Sequence, residues 1–325
     1  MTYKPSHISF SQIMTYLQCP EHYLFRYVLG IKSPPAKAMK RGKALHETLD
    51  HHFTQKKIDE RGMNSNQAQD FYATQLETAL QEYEQELEET KILVSRDFLK
   101  KEKEVSKAEL LDAGTRGLAE YFMGKQQIIR VNGAKQTEEG RTVSLESEVK
   151  PDLVEQEFIL ETNQDVSIKG YIDLTDTARI VHETKTAGKT PQIQDIARDP
   201  QLAIYNIGYE KLTGTKPAGF SKDFIISLKK EVKIQRYLIS KPDIDKESIL
   251  RYIWNILKAI QNDIWYCIHP ANSWVCSADW CGYYKLHQEL RKIGFEKMME
   301  KYSRKNYAKE TAKTIQTQKV EAISI

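Results

Sequence analysis

The hydrophobic rhythm of the chain changes part-way along it. Up to about residue 128, apolar positions recur at three- and four-residue intervals, the period of an amphipathic helix. In SFSQIMTYLQCPEHYLFRYVLG (9–30), Ser9 or Ser11 is placed to cap a short helix and Pro20 to begin a second. KSPPAK (32–37) is a loop, because its two prolines exclude a helix interior. In RGKALHETLDHHF (41–53), Ala44, Leu45, Leu49 and Phe53 fall on one helix face. Leu76, Leu80, Tyr83 and Leu87 form one apolar stripe, and Leu110, Leu111, Leu118 and Tyr121 begin another. This pattern predicts long polar helices, grouped as a helical insertion over about 55–140.

Near residue 143 the period falls to two. VSLESEV (143–149), EQEFIL (155–160), VSIKGYIDLTD (166–176) and ARIVHETKT (178–186) alternate and are rich in β-branched residues, so they predict strands of one sheet. DPQLAIYNIGYEKLTG (199–214) predicts a helix ending at a glycine, and AGFSKDFIISLKK and VKIQRYLIS predict two further strands. A helix over 244–266 would turn Ile249, Tyr252, Ile253, Ile256 and Ile260 inward, ahead of a compact knot, CIHPANSWVCSADWCGYYKLH (267–287). The expected fold is an α/β core, a mixed central sheet flanked by helices. The expected organisation is one domain over 1–310, with its catalytic sheet over about 143–240, a C-terminal helix and cysteine knot over about 244–290, and a flexible tail over 311–325.

Composition adds limits. The 325 residues are 40% hydrophobic and 29% charged, ordinary for a globular protein. No apolar run reaches the roughly eighteen residues of a membrane span, and the N-terminal MTYKPSHISFSQ lacks the pattern of a signal peptide, so a cytoplasmic location is expected. The net charge of +3 permits nucleic-acid binding without arguing for it. From Lys285 onward ten Lys or Arg stand against five Glu, which reads as a solvated tail or a phosphate contact.

The chemistry concentrates in GYIDLTDTARIVHETKT (170–186). Glu183 and Lys185, two apart on one strand, face the same side, and a short hairpin brings Asp173 close. Two carboxylates with open positions suit Mg²⁺ or Mn²⁺, and a lysine beside them can orient an attacking water or stabilise developing charge. The alternative is a strand face with cross-strand ion pairs. HETLDHH is not a zinc-protease HExxH motif, because Asp50 stands at the second histidine position. AGKT (187–190) is not a phosphate-binding loop, because Glu183 stands where its first glycine belongs.

Taken together, these segments resemble the PD-(D/E)xK nuclease superfamily, in particular its RecB-like exonuclease branch, which includes phage recombination exonucleases and CRISPR-adaptation nucleases. CPEHYLFRYVLGI (19–31) is similar to that branch's opening Cys-Pro helix, and RGKALHETL (41–49) to its Gly-x-x-x-His motif. GYIDLTD (170–176) resembles its Gly-x-(I/V)-Asp strand, HETKT (182–186) its (D/E)xKT strand, and QLAIYNIGY (201–209) its Gln-x-x-x-Tyr helix. The resemblance implies a restriction-endonuclease-like core. It implies a metal site of His46, Asp173 and Glu183, with Lys185, Gln201 and Tyr205 as further catalytic positions. Glu157 is either one more metal ligand or base, or a surface charge.

The four cysteines read as metal ligands or buried thiols. Some members of the resembled branch hold a [4Fe–4S] cluster on one N-terminal and three C-terminal cysteines, which here implies Cys19, Cys267, Cys276 and Cys281. His287 stands where a final cysteine would be expected, which leaves a Cys₃His zinc site as the alternative, and simple packing as a third. The functional expectation is a divalent-metal-dependent DNA exonuclease in recombination, repair or phage DNA processing. Its partners would be DNA and a helicase, annealing protein or other recombination protein, with no membrane. The competing reading is a catalytically silent DNA-binding subunit of a larger complex.

Overall fold

The computed structural model describes residues 3–32, 36–91, 93–124, 126–132, 135–141, 144–162, 166–228, 231–241, 245–268 and 273–303. The tail expected over 311–325 lies outside them. The chain opens with strand β1 (His7–Ser9) and helix α1 (Phe10–Gln18), which is capped by Ser9 Oγ accepting from the Gln12 N–H at 3.2 Å. Cys19, in extended backbone, breaks the helix, and Pro20 starts α2 (Pro20–Tyr23), which runs into a π-helical turn over Leu24–Val28. Then come α3 (Lys37–Asp59), α4 (Ser65–Thr90), α5 (Arg96–Glu104) and α6 (Lys107–Met123). Capping boxes at Asn64/Gln67 and Ser106/Glu109 fix the starts of α4 and α6.

Two parts of the sequence reading change here. Residues assigned to the helical insertion form two strands, β2 (Gln126–Asn132) and β3 (Lys135–Arg141). β2 pairs in parallel with a late strand, so its helical context in sequence is overridden by a sheet edge that waits for it about a hundred residues away. Residues 145–148, read as strand, form the short helix α7 (Leu145–Glu148) instead. Three neighbouring strands follow: β4 (Pro151–Leu160), β5 (Ser167–Asp176) and β6 (Ile180–Ala187). After α8 (Ile193–Ala197) and α9 (Pro200–Thr213) come β7 (Gly219–Ser227), β8 (Val232–Ile239), α10 (Lys246–Gln261), α11 (Tyr284–Ile293) and α12 (Phe295–Lys301). α9 stops at Gly214, whose φ of 71° is left-handed. On α10, Ile249, Ile253, Ile256 and Ile260 are buried as expected, but Tyr252 is 40% exposed, at the edge of the apolar stripe rather than inside it.

The described strands form one mixed sheet in the order β1–β5–β6–β7–β8–β2–β3, with β4 also paired to β5. β1–β5, β6–β7 and β2–β8 are parallel, and the remaining pairs antiparallel. Alternation sends Ile129, Val131 and Phe220 into a core with α1, α9 and α10, and Ile128, Ile225 and Ile234 into a second core with α3, α4 and α6. Helices thus cover the sheet on both sides. A third cluster joins Leu24, Phe25 and Ile31 to Cys281, Tyr283, Leu286 and Met298, fastening the start of the chain to its C-terminal helices. No described helix is long and apolar enough to cross a membrane.

Candidate active site and cysteine cluster

The site depends on how closely α9 approaches the sheet. A Cβ on Gly170 of β5 would lie 2.4 Å from the Phe158 ring, and one on Gly208 of α9 would lie 2.6 Å from the same ring. Phe158, buried on β4, therefore fits between strand and helix only because both positions lack a side chain. That contact sets Gln201 and Tyr205, at i and i+4 of α9, over the end of β5.

The β5–β6 register pairs Leu174 with His182, so the next pair along is Asp173 and Glu183. Asp173 is held from two sides. The Tyr205 hydroxyl donates to its Oδ1 at 3.3 Å, and His46 Nε2 from α3 lies 2.9 Å from its Oδ2. Gln201 Nε2 donates to the Tyr205 oxygen at 2.7 Å, and Lys185 Nζ donates to Gln201 Oε1 at 3.5 Å. A polar chain thus runs from Lys185 through Gln201 and Tyr205 to Asp173. Burial and the carboxylates of Glu183 and Asp173 keep the Tyr205 phenol protonated and so a donor. Burial opposes the charge on Lys185, but Glu183, Asp173 and Asp199 outweigh it and hold its pKa above the ordinary lysine value.

Glu183 is 2% exposed and faces two ammonium groups: Lys185 contacts Oε1 and Lys222 Nζ lies 3.1 Å from Oε2. Neither oxygen accepts a well-aligned hydrogen bond. Lys222, opposite Glu183 in the β6–β7 register, also pairs with Asp199, the residue that caps α9. Sequence reading missed both Lys222 and Asp199. The parallel partner of Glu183 comes from a strand beyond the next helix, and no local pattern announces it.

Two more acidic residues join the cluster. Asp50, one turn after His46, lies 3.0 Å from His46 Nδ1. Glu155 of β4, in line with Asp173 in the β4–β5 register, approaches His46 Nδ1 to 3.7 Å and has a left-handed φ of 47°. Burial, with Asp50 and Asp173 nearby, pushes the Glu155 carboxyl up to about 7. Burial disfavours charge on His46, but hydrogen bonds to Asp173 and Asp50 prevail and raise it to about 11.

The acidic residue of β4 that meets His46 and Asp173 is Glu155 rather than Glu157. Glu157 sits two residues further along β4, where Lys169 Nζ lies 2.6 Å away and the Tyr171 hydroxyl donates to it at 3.2 Å. It is a cross-strand surface partner, because its place in the register is opposite Tyr171 and not Asp173. The register is continuous from Val154 to Leu160, so it is the pairing of β4 with β5, which the alternating sequence does not reveal, that sets Glu155 against Asp173.

The donors suit a divalent cation. The ligand atoms of His46, Glu155 and Asp173 lie within 4.8 Å of one another, two carboxylates and an imidazole on three different elements. Oxygen-rich sets of this kind take hard ions. Glu183 stands beside them but points at the two lysines.

A second cluster lies where the chain ends meet. The ligand atoms of Cys19, Cys267 and His287 lie within 4.8 Å of one another, and Cys267 Sγ is 3.4 Å from Cys276 Sγ. Burial raises the pKa of Cys281, to about 12, with Cys19 and Cys276 adding to the rise. All four cysteines are free thiols. Burial likewise holds Cys19 and Cys267 protonated, and a metal cation is the countercharge that would displace those protons. His287, 3% exposed, has Nδ1 2.5 Å from the buried Glu21 carboxylate. The donor set of sulfur and imidazole fits either of the metals the sequence suggests.

Helices thus cover both sides of a mixed sheet, and Asp173, Glu183 and Lys185 come from one hairpin, as in the nuclease motif set read from the sequence. The family model of the PD-(D/E)XK nuclease superfamily matches residues 7–286, and the chain belongs to that superfamily. Its sheet is the restriction-endonuclease-like one. No curated protein matches the sequence. Among solved structures, an exonuclease candidate from Eubacterium rectale is similar at 11% identity, over 79% of this chain and 82% of its own, with a TM-score of 0.40.

Proposed function

We propose that the protein is a Mg²⁺- or Mn²⁺-dependent deoxyribonuclease that digests DNA from its ends, in the cytoplasm, during recombination, repair or phage DNA processing. The observation that carries this reading is the convergence of His46, Glu155 and Asp173 within 4.8 Å, beside Lys185. A divalent ion bound there would supply an acidified water and screen the scissile phosphate. His46 and Asp173 would hold it, with Glu155 as the third donor. Tyr205 takes one oxygen of Asp173, which leaves the other turned toward His46. Lys185 orients the attacking water or stabilises the charge that develops on the phosphate, and Gln201 fixes its reach. Lys222 neutralises Glu183 from behind, so that Lys185 is shared between Glu183 and the substrate.

The chain carries no motor motif, so unwinding would come from a partner such as a helicase, and strand pairing from an annealing protein. The cysteine cluster would hold a [4Fe–4S] group on Cys19, Cys267, Cys276 and Cys281, or zinc on three of them and His287, as a clamp on the chain ends.

The test is a time course on end-labelled linear DNA, single- and double-stranded, with 5′ and 3′ labels in parallel. Cleavage with Mg²⁺ or Mn²⁺, abolished by EDTA and lowered at least about 100-fold in Asp173→Ala and Lys185→Ala, is expected. Undiminished cleavage by either variant overturns the site. DNA binding by the wild-type protein with no cleavage turns the reading to the DNA-binding subunit.

A further inference from the structure

One face of the β4–β5 ribbon is closed and the other is open. On the closed face Phe158, Ile168 and Ile172 are buried, and Gly170 meets the Phe158 ring. On the open face the alternate positions Lys169, Tyr171 and Asp173 follow one another along β5. Opposite them in the register stand Ile159 and Glu157, with Glu155 next in line against Asp173. Ile159 is 42% and Tyr171 44% exposed, large apolar surfaces for a sheet that helices otherwise cover. The open face ends at the proposed metal donors. Tyr171 stands one same-side step from Asp173, about 7 Å along the strand, on the scale of one nucleotide.

The ring is also held in place. Its hydroxyl donates to Glu157 Oε2 at 3.2 Å, and Lys169 Nζ lies 5.5 Å from its centroid. Lys169 and Glu157 form an ion pair at 2.6 Å, so the two charges cancel. A cancelled pair is a poor phosphate site, whereas a fixed, exposed aromatic ring is a surface on which a nucleobase stacks. Base faces are available in an unpaired strand and hidden in a duplex.

We propose that Tyr171 is a stacking platform for the base next to the scissile phosphate, and that this open ribbon face gives the enzyme its preference for a single-stranded DNA end. Glu157 and Lys169 are positioning residues that orient the ring. The proposal rests on the nuclease reading above and adds the substrate class and the residue that selects it.

Two measurements on the full-length protein separate the two claims. The first is the affinity for a fluorescent single-stranded oligonucleotide with Ca²⁺ in place of Mg²⁺, which needs no cleavage. Tyr171→Ala is expected to weaken it about ten-fold, the 1.4 kcal/mol equivalent that lies within the range of one base–aromatic stack, while Tyr171→Phe stays within about two-fold of wild type. The second is cleavage kinetics, in which Tyr171→Ala should raise KM on single-stranded DNA while kcat falls less, with the single-strand preference over blunt duplex reduced. Thermal melting checks that the exposed substitution leaves the fold intact. Unchanged affinity in Tyr171→Ala, or a Tyr171→Phe variant as weak as Tyr171→Ala, overturns the stacking role whether or not the protein cleaves. Absence of cleavage with the affinity loss present overturns the nuclease reading alone.

Discussion

His46 Nε2 on α3 lies 2.9 Å from Asp173 Oδ2 on β5, although 127 residues separate them. The other ring nitrogen is 3.0 Å from Asp50, one helical turn further on. The imidazole is thus clamped between the carboxylate that shares its proposed metal and a carboxylate that only orients it, the arrangement in which a partner of the second nitrogen fixes tautomer and ring direction.

Asp50→Asn is therefore expected to weaken the enzyme without removing a metal ligand. Loss of such an orienting partner costs about 10–100-fold in metal affinity or activity. The check is the Mg²⁺ or Mn²⁺ concentration giving half-maximal cleavage, which should rise while activity at saturating metal recovers. A variant with the wild-type metal requirement would show that Asp50 does not orient His46.

Gly170→Ala places a methyl group 2.4 Å from the Phe158 ring, inside any real contact distance. Phe158 is buried and also contacts Gly208, so the ring has no free direction to move. Overpacking of this kind costs about 1–3 kcal/mol. It should lower the melting temperature and, by pushing α9 from the sheet, reduce activity more than Gly188→Ala, where a Cβ meets nothing within 4 Å.

The cysteine cluster predicts a bound metal in protein purified without oxygen. Iron with visible absorbance would identify a cluster on the thiolates, and zinc without colour would identify the site that includes His287. In the second case His287→Ala should remove the metal and His287→Cys retain it. In the first, His287→Ala should leave iron content nearly unchanged. Protein that is active and free of both metals would reject the two alternatives together.

Acid stability is expected to depend on the buried pair of Asp223 and Arg236, whose Arg236 Nε donates to Asp223 Oδ1 at 2.7 Å. Burial alone would raise the Asp223 carboxyl, but Arg236, His182 and Ser221 outweigh it and hold it below the ordinary aspartate value. A depressed folded-state pKa means that the contribution is fully present above the unfolded value, about 3.9, and is lost as pH falls through the folded value. Asp223→Asn should cost about 3 kcal/mol at neutral pH, because it removes the carboxylate hydrogen-bonded to the buried Arg236 guanidinium, and should flatten the decline in stability below pH of about 4. Urea unfolding at a series of pH values measures both effects.

Much of the candidate site's geometry was legible because its motifs are local. Glu183 and Lys185 share a strand face by period two, Gln201 and Tyr205 share a helix face by i and i+4, and the hairpin between Asp173 and Glu183 is short enough to fix their register. The apolar stripes of α3, α4 and α6 and the glycine stop of α9 were legible for the same reason.

What the sequence could not carry was whatever depends on elements far apart meeting. β2 is a strand because β8 offers it a parallel edge, and its own seven residues sit directly after a helix. Glu155 rather than Glu157 meets Asp173 because of the register in which β4 pairs with β5, and the choice between two acidic residues on the same strand face has no signature in the alternation itself. Lys222 reaches Glu183 only through the β6–β7 pairing, and Tyr171 stands open to solvent only because the helices on both sides of the sheet leave that end of β5 uncovered. The sequence by itself determined the residue types and local periods, since those follow from side-chain spacing within one element. The tertiary structure decided which carboxylates share a cation and which pair with lysine, because electrostatic partners are chosen by distance in space.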